Sequence, residues 1–165
     1  MNTETSLVPA TASRAALEMA IGRNDLSRLT PDDRMNYIGQ ICQLVGLNPL
    51  TQPIKIIDIK GKPTLYADKS CAEQLRELHK ISVKILDREL KDGIFVVRAA
   101  FTNPSGREDE AIGAVGIAPN ANPEDRANAM MKAETKAKRR GTLSFCGLGF
   151  LPDESELNSI TASSQ

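Results

Sequence analysis

Residues 122–150 read NPEDRANAMMKAETKAKRRGTLSFCGLGF, and this stretch carries the clearest helix signature in the chain. Asn122 is a favoured N-cap, Pro123 suits the first helical position, and two acidic residues follow at the positive end of the helix dipole. Apolar and charged residues then recur at helical spacing as far as about Leu148. The sequence therefore predicts one long, basic helix here.

Three β-rich segments precede this helix. ISVKIL (81–86) alternates apolar and polar residues, GIFVVRAAF (93–101) is apolar on nearly both faces, and EAIGAVGIA (110–118) is rich in small residues. The second segment is typical of a central strand. Because the connections are short, we expect an antiparallel, three-stranded meander.

Upstream of the strands, the sequence predicts a hairpin. The segments PIKIIDIK (53–60) and PTLYA (63–67) are rich in β-branched and aromatic residues and flank Gly61. This arrangement puts Lys60 and Lys62 at the tip of the hairpin.

A helix is predicted on each side of the hairpin. Thr30 can cap the first, which should end at Gly46, and Asp68 can cap the second, over 69–79. The order of helix, hairpin, helix, three-stranded antiparallel meander and long basic helix predicts an α+β fold. We expect a flexible N-terminal arm with a short helix over 1–26, a core domain over 27–151, and an acidic flexible tail over 152–165.

Composition excludes several classes of function. The 165 residues are 41% hydrophobic and 25% charged, which is typical of a globular chain, and no run approaches the ~20 apolar residues of a membrane span. The N-terminus lacks the charged and apolar regions of a signal peptide. Three widely spaced cysteines and a single histidine do not form a zinc motif and suit a reducing cytoplasm. We therefore expect a cytoplasmic protein that is not an enzyme and has no metal, cofactor or membrane partner.

Charge is distributed unevenly along the chain. The formal net charge is zero, yet residues 126–140 contain six cations and one carboxylate, a local charge of +5. Such a local concentration of positive charge favours a polyanionic partner.

On a helical wheel, four of these cations share a stripe about 100° wide: Lys132, Lys136, Arg139 and Arg140. The opposite, apolar side is expected to pack: Ala127, Met130, Met131, Ala137, Gly141, Phe145 and Leu148. Glu134 falls on that side, and an unpaired buried carboxylate is costly. Lys138 lies one turn later, so we expect Glu134 and Lys138 to form a structural pair.

The stripe has two interpretations. Most charge runs are solvated helix faces, but this one contains no outward acid, and like charges one turn apart destabilise a helix unless an anion offsets them. Lys132 to Arg140 spans about 12 Å, or about four nucleotides of a phosphate backbone. Aromatic residues make up only 4% of the chain and include no tryptophan, so base stacking is poorly supported. Backbone contact, repeated over several protomers, is the favoured interpretation.

Two blocks of sequence resemble the phage Redβ/RecT-type single-strand DNA annealing proteins. TPDDRMNYIGQICQLVGLNPLTQPI (30–54) looks like their opening helix and GLNPLT-like turn, and KAETKAKRRGTLSFCGLGFLPDESEL (132–157) is similar to their basic late helix and acidic turn. The resemblance covers about residues 27–157. It departs from the family after the hairpin, where ADKSCAEQL retains only Asp68 of an aspartate–glycine–aromatic stretch.

The resemblance implies ATP-independent binding of single-stranded DNA and annealing of complementary strands during recombination and repair. Members assemble into rings or helical filaments that hold single strands and annealed duplex in a basic groove. It also implies a phage exonuclease or a host single-strand-binding protein as partner, which larger relatives recruit through a further C-terminal domain. The DNA-binding residues that it indicates are Lys132, Lys136, Arg139, Arg140, Lys60, Lys62, Lys69 and Arg76.

Two other functions fit parts of the sequence. Asp58-Ile-Lys60 on a strand resembles half of a magnesium-dependent nuclease site, with Asp32 or Asp68 as the companion acid. A self-assembling structural protein could instead use the stripe to hold an acidic partner, including the tail of a neighbouring protomer. That tail could also compete with DNA.

Overall fold

The computed structural model describes residues 12–152, which divide into two compact units after Ala67. Of the predicted N-terminal arm, residues 1–11 lie outside the described residues, as do residues 153–165 of the predicted acidic tail. The predicted boundary between residues 26 and 27 does not coincide with the division after Ala67.

The first unit contains two α-helices, a short 3₁₀ turn and a β-hairpin. In chain order these are α1 (Arg14–Arg23), α2 (Pro31–Val45), the 3₁₀ turn (Pro49–Thr51), β1 (Ile54–Ile59) and β2 (Lys62–Ala67). The helix α1 is tied to the hairpin because the Asn24 side chain bonds the backbone of Leu65 in both directions, donating to its carbonyl at 3.2 Å and accepting from its N–H at 3.0 Å. Residues 12–26 are therefore part of this unit.

The hairpin has the predicted form. Ile59 pairs with Lys62, which leaves Lys60 and Gly61 as a two-residue turn with φ values of 52° and 77°. Positive φ at both positions is the mark of a type I′ turn, which suits the twist of the strands. Asp58 supports the turn by accepting a 2.7 Å hydrogen bond from the Gly61 N–H.

The second unit contains two helices and a three-stranded sheet. Its elements are α3 (Lys69–His79), β3 (Ser82–Lys91), β4 (Ile94–Thr102), β5 (Glu108–Gly116) and α4 (Pro123–Phe145). The sheet is antiparallel, in the order β3-β4-β5. The predicted α+β fold is confirmed, and α4 ends three residues before Leu148. Among residues 12–152, no helix combines the length and the apolar character needed to cross a membrane.

Side-chain caps begin the helices where the sequence predicts. The side chains of Thr30, Asp68 and Asn122 each accept a hydrogen bond from the N–H group of the residue three positions later in the chain. These bonds satisfy donors that a helix start leaves without partners inside the helix. Gly46 ends α2 in the left-handed conformation, with φ of 78°. These boundaries are local, so sequence alone was sufficient to find them.

The core of the second unit lies between one face of the sheet and α4. Alternate residues of β4 face the helix and are buried: Phe95, Val97, Ala99 and Phe101. The helix contributes small residues one turn apart, Ala129, Ala133 and Ala137, so that its backbone approaches β5 closely. At Gly113 a Cβ atom would lie closer than 3.0 Å to backbone atoms of α4, so only glycine fits there without a shift.

Candidate nucleic-acid interface

The helix α4 packs on two surfaces, where the sequence predicts a single packed face. One side contacts the sheet through Ala133, Ala137 and Gly141. Another side contacts α3, where Arg76 Nη1 donates to Thr142 Oγ1 at 3.0 Å, and this hydroxyl donates to the Lys138 carbonyl at 2.6 Å. Thr142 is completely buried.

The predicted packed face is therefore only partly correct. Ala137, Gly141, Phe145 and Leu148 are buried, but Ala127 is exposed, as are Met130 and Met131, at 40% and 61%. The helical wheel gives the angle of each residue but not the number or direction of the neighbouring elements. The packed surface is rotated toward Ala129 and Ala133, which lie one turn apart and face the sheet.

Three of the predicted cations form a row along the side of α4 that lies beside β5. Lys132 and Arg140 are exposed, and Lys136, one turn from each, is half-buried with its Nζ 3.5 Å from the Ala114 carbonyl of β5. We call these three residues the cationic row. It spans about 12 Å and runs beside the edge strand of the sheet.

Arg139 does not belong to this row, which corrects the sequence prediction. Its residue surface is only 2% exposed, whereas the wheel placed it beside Lys132. It lies instead toward α3 and lines an open cleft between α3 and α4. An exposed contact of Arg139 with a continuous phosphate backbone is therefore not supported by this geometry.

The predicted pair of Glu134 and Lys138 is confirmed, with an Nζ–Oε1 distance of 2.7 Å. Arg88 of β3 adds a second cation, with Nη2 2.9 Å from the other carboxylate oxygen. The Lys138 hydrogen bond is the main reason why the pKa of Glu134 lies below its usual value; burial opposes this shift and the Arg88 hydrogen bond adds to it. Glu134 is thus bound to cations on both sides.

Sequence analysis missed Arg88 because of a β-bulge. Val83 and Ile85 pack toward the core, so strict alternation would direct residues 87 and 89 inward and Arg88 outward. The register shifts between Ile85 and Asp87, and Arg88 then pairs with the buried Val97. The extra residue reverses the faces of the strand and brings Arg88 to α4.

A second basic surface lies between α3 and α4. There an open cleft of about 370 Å³ is lined by Lys69, Ala72, Glu73, Arg76, Met131, Glu134, Thr135, Lys138 and Arg139. We call it the α3–α4 cleft. It brings the predicted residues Lys69 and Arg76 together with Arg139 and Lys138, whereas the cationic row does not line it.

The cations on the α3 side of the cleft differ in burial. Lys69 is exposed and lies 3.5 Å from Glu73, one turn away on the same helix. Arg76 is half-buried, and burial is the main effect on its pKa, which is lowered, while Glu73 opposes the shift. Its bond to Thr142 holds the guanidinium in place at the wall of the cleft.

The remaining predicted DNA contacts, Lys60 and Lys62, lie in the first unit. Both are exposed at the hairpin tip, as the sequence predicts. Lys60 occupies the first turn position, and Lys62 begins β2.

The carboxylates of the nuclease hypothesis have local roles in the structure. Asp58 accepts from the Gly61 N–H, Asp68 caps α3, and Asp32 lies in the first turn of α2. Within residues 12–152, no group of three or more His, Cys, Asp or Glu side chains is arranged to hold a metal ion.

No family model matches the chain, and no curated protein is significantly similar to it. The resemblance to single-strand annealing proteins therefore remains a prediction.

Proposed function

We propose that this protein binds single-stranded DNA through the phosphate backbone and anneals complementary strands without ATP. The observation that carries the proposal is the cationic row: Lys132, Lys136 and Arg140 lie one turn apart on α4, the first and last exposed and Lys136 half-buried beside β5. The only acid of α4 between them in sequence, Glu134, is bound by Lys138 and Arg88. The annealing step rests on the sequence resemblance.

The aromatic residues support contact with the backbone over contact with the bases. Tyr66, Phe95, Phe101 and Phe145 are all buried. Single-strand binders that stack bases need exposed aromatic platforms, and among residues 12–152 only Phe150 is an exposed aromatic side chain. Bases that are not stacked on the protein stay available for pairing with a second strand.

One cationic row would bind weakly, since it offers three phosphate contacts. Several protomers side by side would multiply these contacts along one strand, so the proposal includes a homo-oligomer. Lys60 and Lys62 at the hairpin tip are further candidate contacts of each protomer. A phage exonuclease or a host single-strand-binding protein is the partner class that the resemblance suggests.

Salt dependence tests the backbone contact directly. The logarithm of the affinity for single-stranded DNA should fall with the logarithm of salt concentration by about 0.7 per phosphate contact. Lys136→Ala and Arg140→Ala should each reduce this slope by less than one unit, equally for every sequence. Lys84→Ala is the matched control, because Lys84 is exposed on β3 between Val83 and Ile85, which face the core.

Fluorescence anisotropy over a range of salt concentrations measures these slopes. If Lys136→Ala and Lys84→Ala had the same effect, the row would have no special role. A loss confined to certain sequences would indicate base recognition and contradict the proposal.

Annealing is tested by mixing complementary oligonucleotides with the protein in the absence of ATP. We expect faster duplex formation than without protein, and electron microscopy should show oligomers on the DNA. Salt-dependent self-association without any binding to DNA would instead favour the structural protein with an acidic partner.

A further inference from the structure

An open groove of the first unit lies between α2 and β1, next to the 3₁₀ turn. Its volume is about 280 Å³, and most of its lining is apolar. The lining residues come from α2, the turn and β1: Met35, Ile38, Pro49, Gln52, Ile54, Lys55 and Ile56. All of them belong to the first unit. We call this site the α2–β1 groove, and its lining suits an apolar side chain.

An exposed leucine lies at the rim of this groove. Leu50 is 87% exposed, and its neighbours in the turn, Pro49 and Gln52, line the groove. Met35, in the wall of the groove, is 66% exposed. Single apolar residues on a surface are common and need no explanation. Here the exposed leucine adjoins an open apolar groove, and continuous apolar surface of this kind favours an interaction site.

Hydrogen bonds hold the turn, and with it Leu50, in one position. The Asn48 side chain accepts from the Leu50 N–H at 2.9 Å, and the Asn48 carbonyl accepts from the Thr51 hydroxyl at 2.7 Å. The Gln52 N–H donates to the Pro49 carbonyl at 3.0 Å. A side chain on a preformed turn loses less conformational entropy on binding than one on a turn that must first become ordered.

Two observations favour a second copy of this chain as the partner. Leu50 and the groove lie side by side, so when Leu50 of one copy enters the groove of another, the reverse contact can form about a two-fold axis. The segment GLNPLTQP (46–53) contains no charged residue, in a chain that is 25% charged. Two copies of this segment can therefore meet without placing like charges opposite each other.

The size of the contact predicts a weak dimer. Stable interfaces bury about 1,600 Å² in total and involve about 20 residues or more on each side. The α2–β1 groove has seven lining residues, and the exposed part of the turn adds few. We therefore expect a dissociation constant on the order of 100 µM without DNA. Copies held side by side on one DNA strand have a higher effective concentration, so the contact should form there more readily.

We propose that the α2–β1 groove binds Leu50 of a second copy of this chain, in a two-fold symmetric contact. The inference rests on the homo-oligomer of the proposed function and names the surface through which two copies associate. The contact involves no residue of the cationic row, so self-association and DNA binding can be measured separately.

Sedimentation velocity of the full chain without DNA measures self-association, at concentrations between about 10 µM and 1 mM. Leu50→Ala should raise the dissociation constant at least about tenfold, because the dimer loses both of its identical leucine contacts. Leu44→Ala is the matched control and should leave the constant unchanged. Leu44 is also strongly exposed, at 70%, and lies on the opposite side of α2 from Met35.

Cross-linking between two variants tests the contact itself. When Leu50→Cys protein and Met35→Cys protein are mixed and oxidised, they should form a disulfide-linked pair, and the second contact of the dimer remains intact. Both positions are exposed, so folding should be preserved. Leu44→Cys protein mixed with Met35→Cys protein is the control for random collision. The natural cysteines contribute equally to both mixtures.

A chain that stays monomeric at about 1 mM would overturn the proposal. Equal effects of Leu50→Ala and Leu44→Ala, or equal cross-linking in the two mixtures, would also overturn it. Deletion of residues 1–11 tests another occupant of the groove, and loss of self-association in that variant would assign the groove to this segment instead. Self-association that depends on Leu50 in a protein that does not bind DNA would refute the proposed function but support this contact.

Discussion

Gly113→Ala should destabilise the second unit by displacing α4 from the sheet. A Cβ atom at this position would lie closer than 3.0 Å to the Ala133 carbonyl oxygen and to the Ala137 backbone nitrogen. Both are backbone atoms within a helix, so no change of side-chain rotamer can relieve the contact. The helix must move, or the strand must bend.

The magnitude follows from the cost of overpacking a core, which is typically 1–3 kcal/mol. Because the opposing atoms are backbone, we expect a loss near the upper end, about 3 kcal/mol in the free energy of unfolding. For a unit of this size, such a loss lowers the melting temperature by more than about 10 °C. Since α4 carries the cationic row, DNA binding should weaken as the unit unfolds.

Gly116→Ala is the matched control in the same strand. A Cβ atom at Gly116 would meet no atom within 4 Å, and its backbone does not require glycine. Alanine there should be neutral or slightly stabilising, because glycine in a strand costs conformational entropy. Urea unfolding followed by circular dichroism measures both variants. Equal stability of the two would refute the close approach of α4 to β5.

Three further predictions concern the ends and charges of α4. Glu134→Gln should destabilise the protein near pH 7, but not at low pH: a carboxyl group with a lowered pKa contributes stability above its usual value of 4.5 and loses it as the pH falls through the lowered pKa. Unfolding curves of wild type and variant that stay equally separated below that range would contradict the pairing. Arg107→Ala should cost about 1 kcal/mol in unfolding experiments, because it removes a 2.7 Å bond to the Phe145 carbonyl and a guanidinium 4.5 Å from the centre of that ring. Arg98→Ala is the control, because it breaks an exposed ion pair with Asp87 and should cost less than about 0.5 kcal/mol. If Arg107→Ala cost no more than Arg98→Ala, the contacts of Arg107 with the end of α4 would not contribute to stability. Deletion of residues 153–165, which contain three carboxylates, should strengthen binding to single-stranded DNA in anisotropy titrations, and unchanged affinity would exclude competition by the tail.

Local chemistry made much of the fold predictable from the sequence. The caps at Thr30, Asp68 and Asn122 mark helix starts within a residue, because a side-chain oxygen near the N–H groups of the first turn acts over short range. The turn at Lys60 and Gly61 likewise depends on two adjacent φ angles. The pair of Glu134 and Lys138 was predictable because both residues lie on one helix, one turn apart.

The candidate sites were less predictable, because burial depends on which elements cover a helix. The wheel places Arg139 beside Lys132, and nothing in the spacing indicates that it is buried. The bulge in β3 brings Arg88 to α4 although the alternation before it predicts the opposite face.

By itself, the sequence determined the order of the elements, their ends, and the concentration of positive charge on the last helix. Only the tertiary structure decided which of those charges face solvent and which line a cleft with Lys69 and Arg76. The physical reason is the range of the interactions. Caps, turns and one-turn pairs involve residues that are neighbours in sequence, whereas cleft formation depends on α3 and α4, where the bonded residues Arg76 and Thr142 are 66 positions apart.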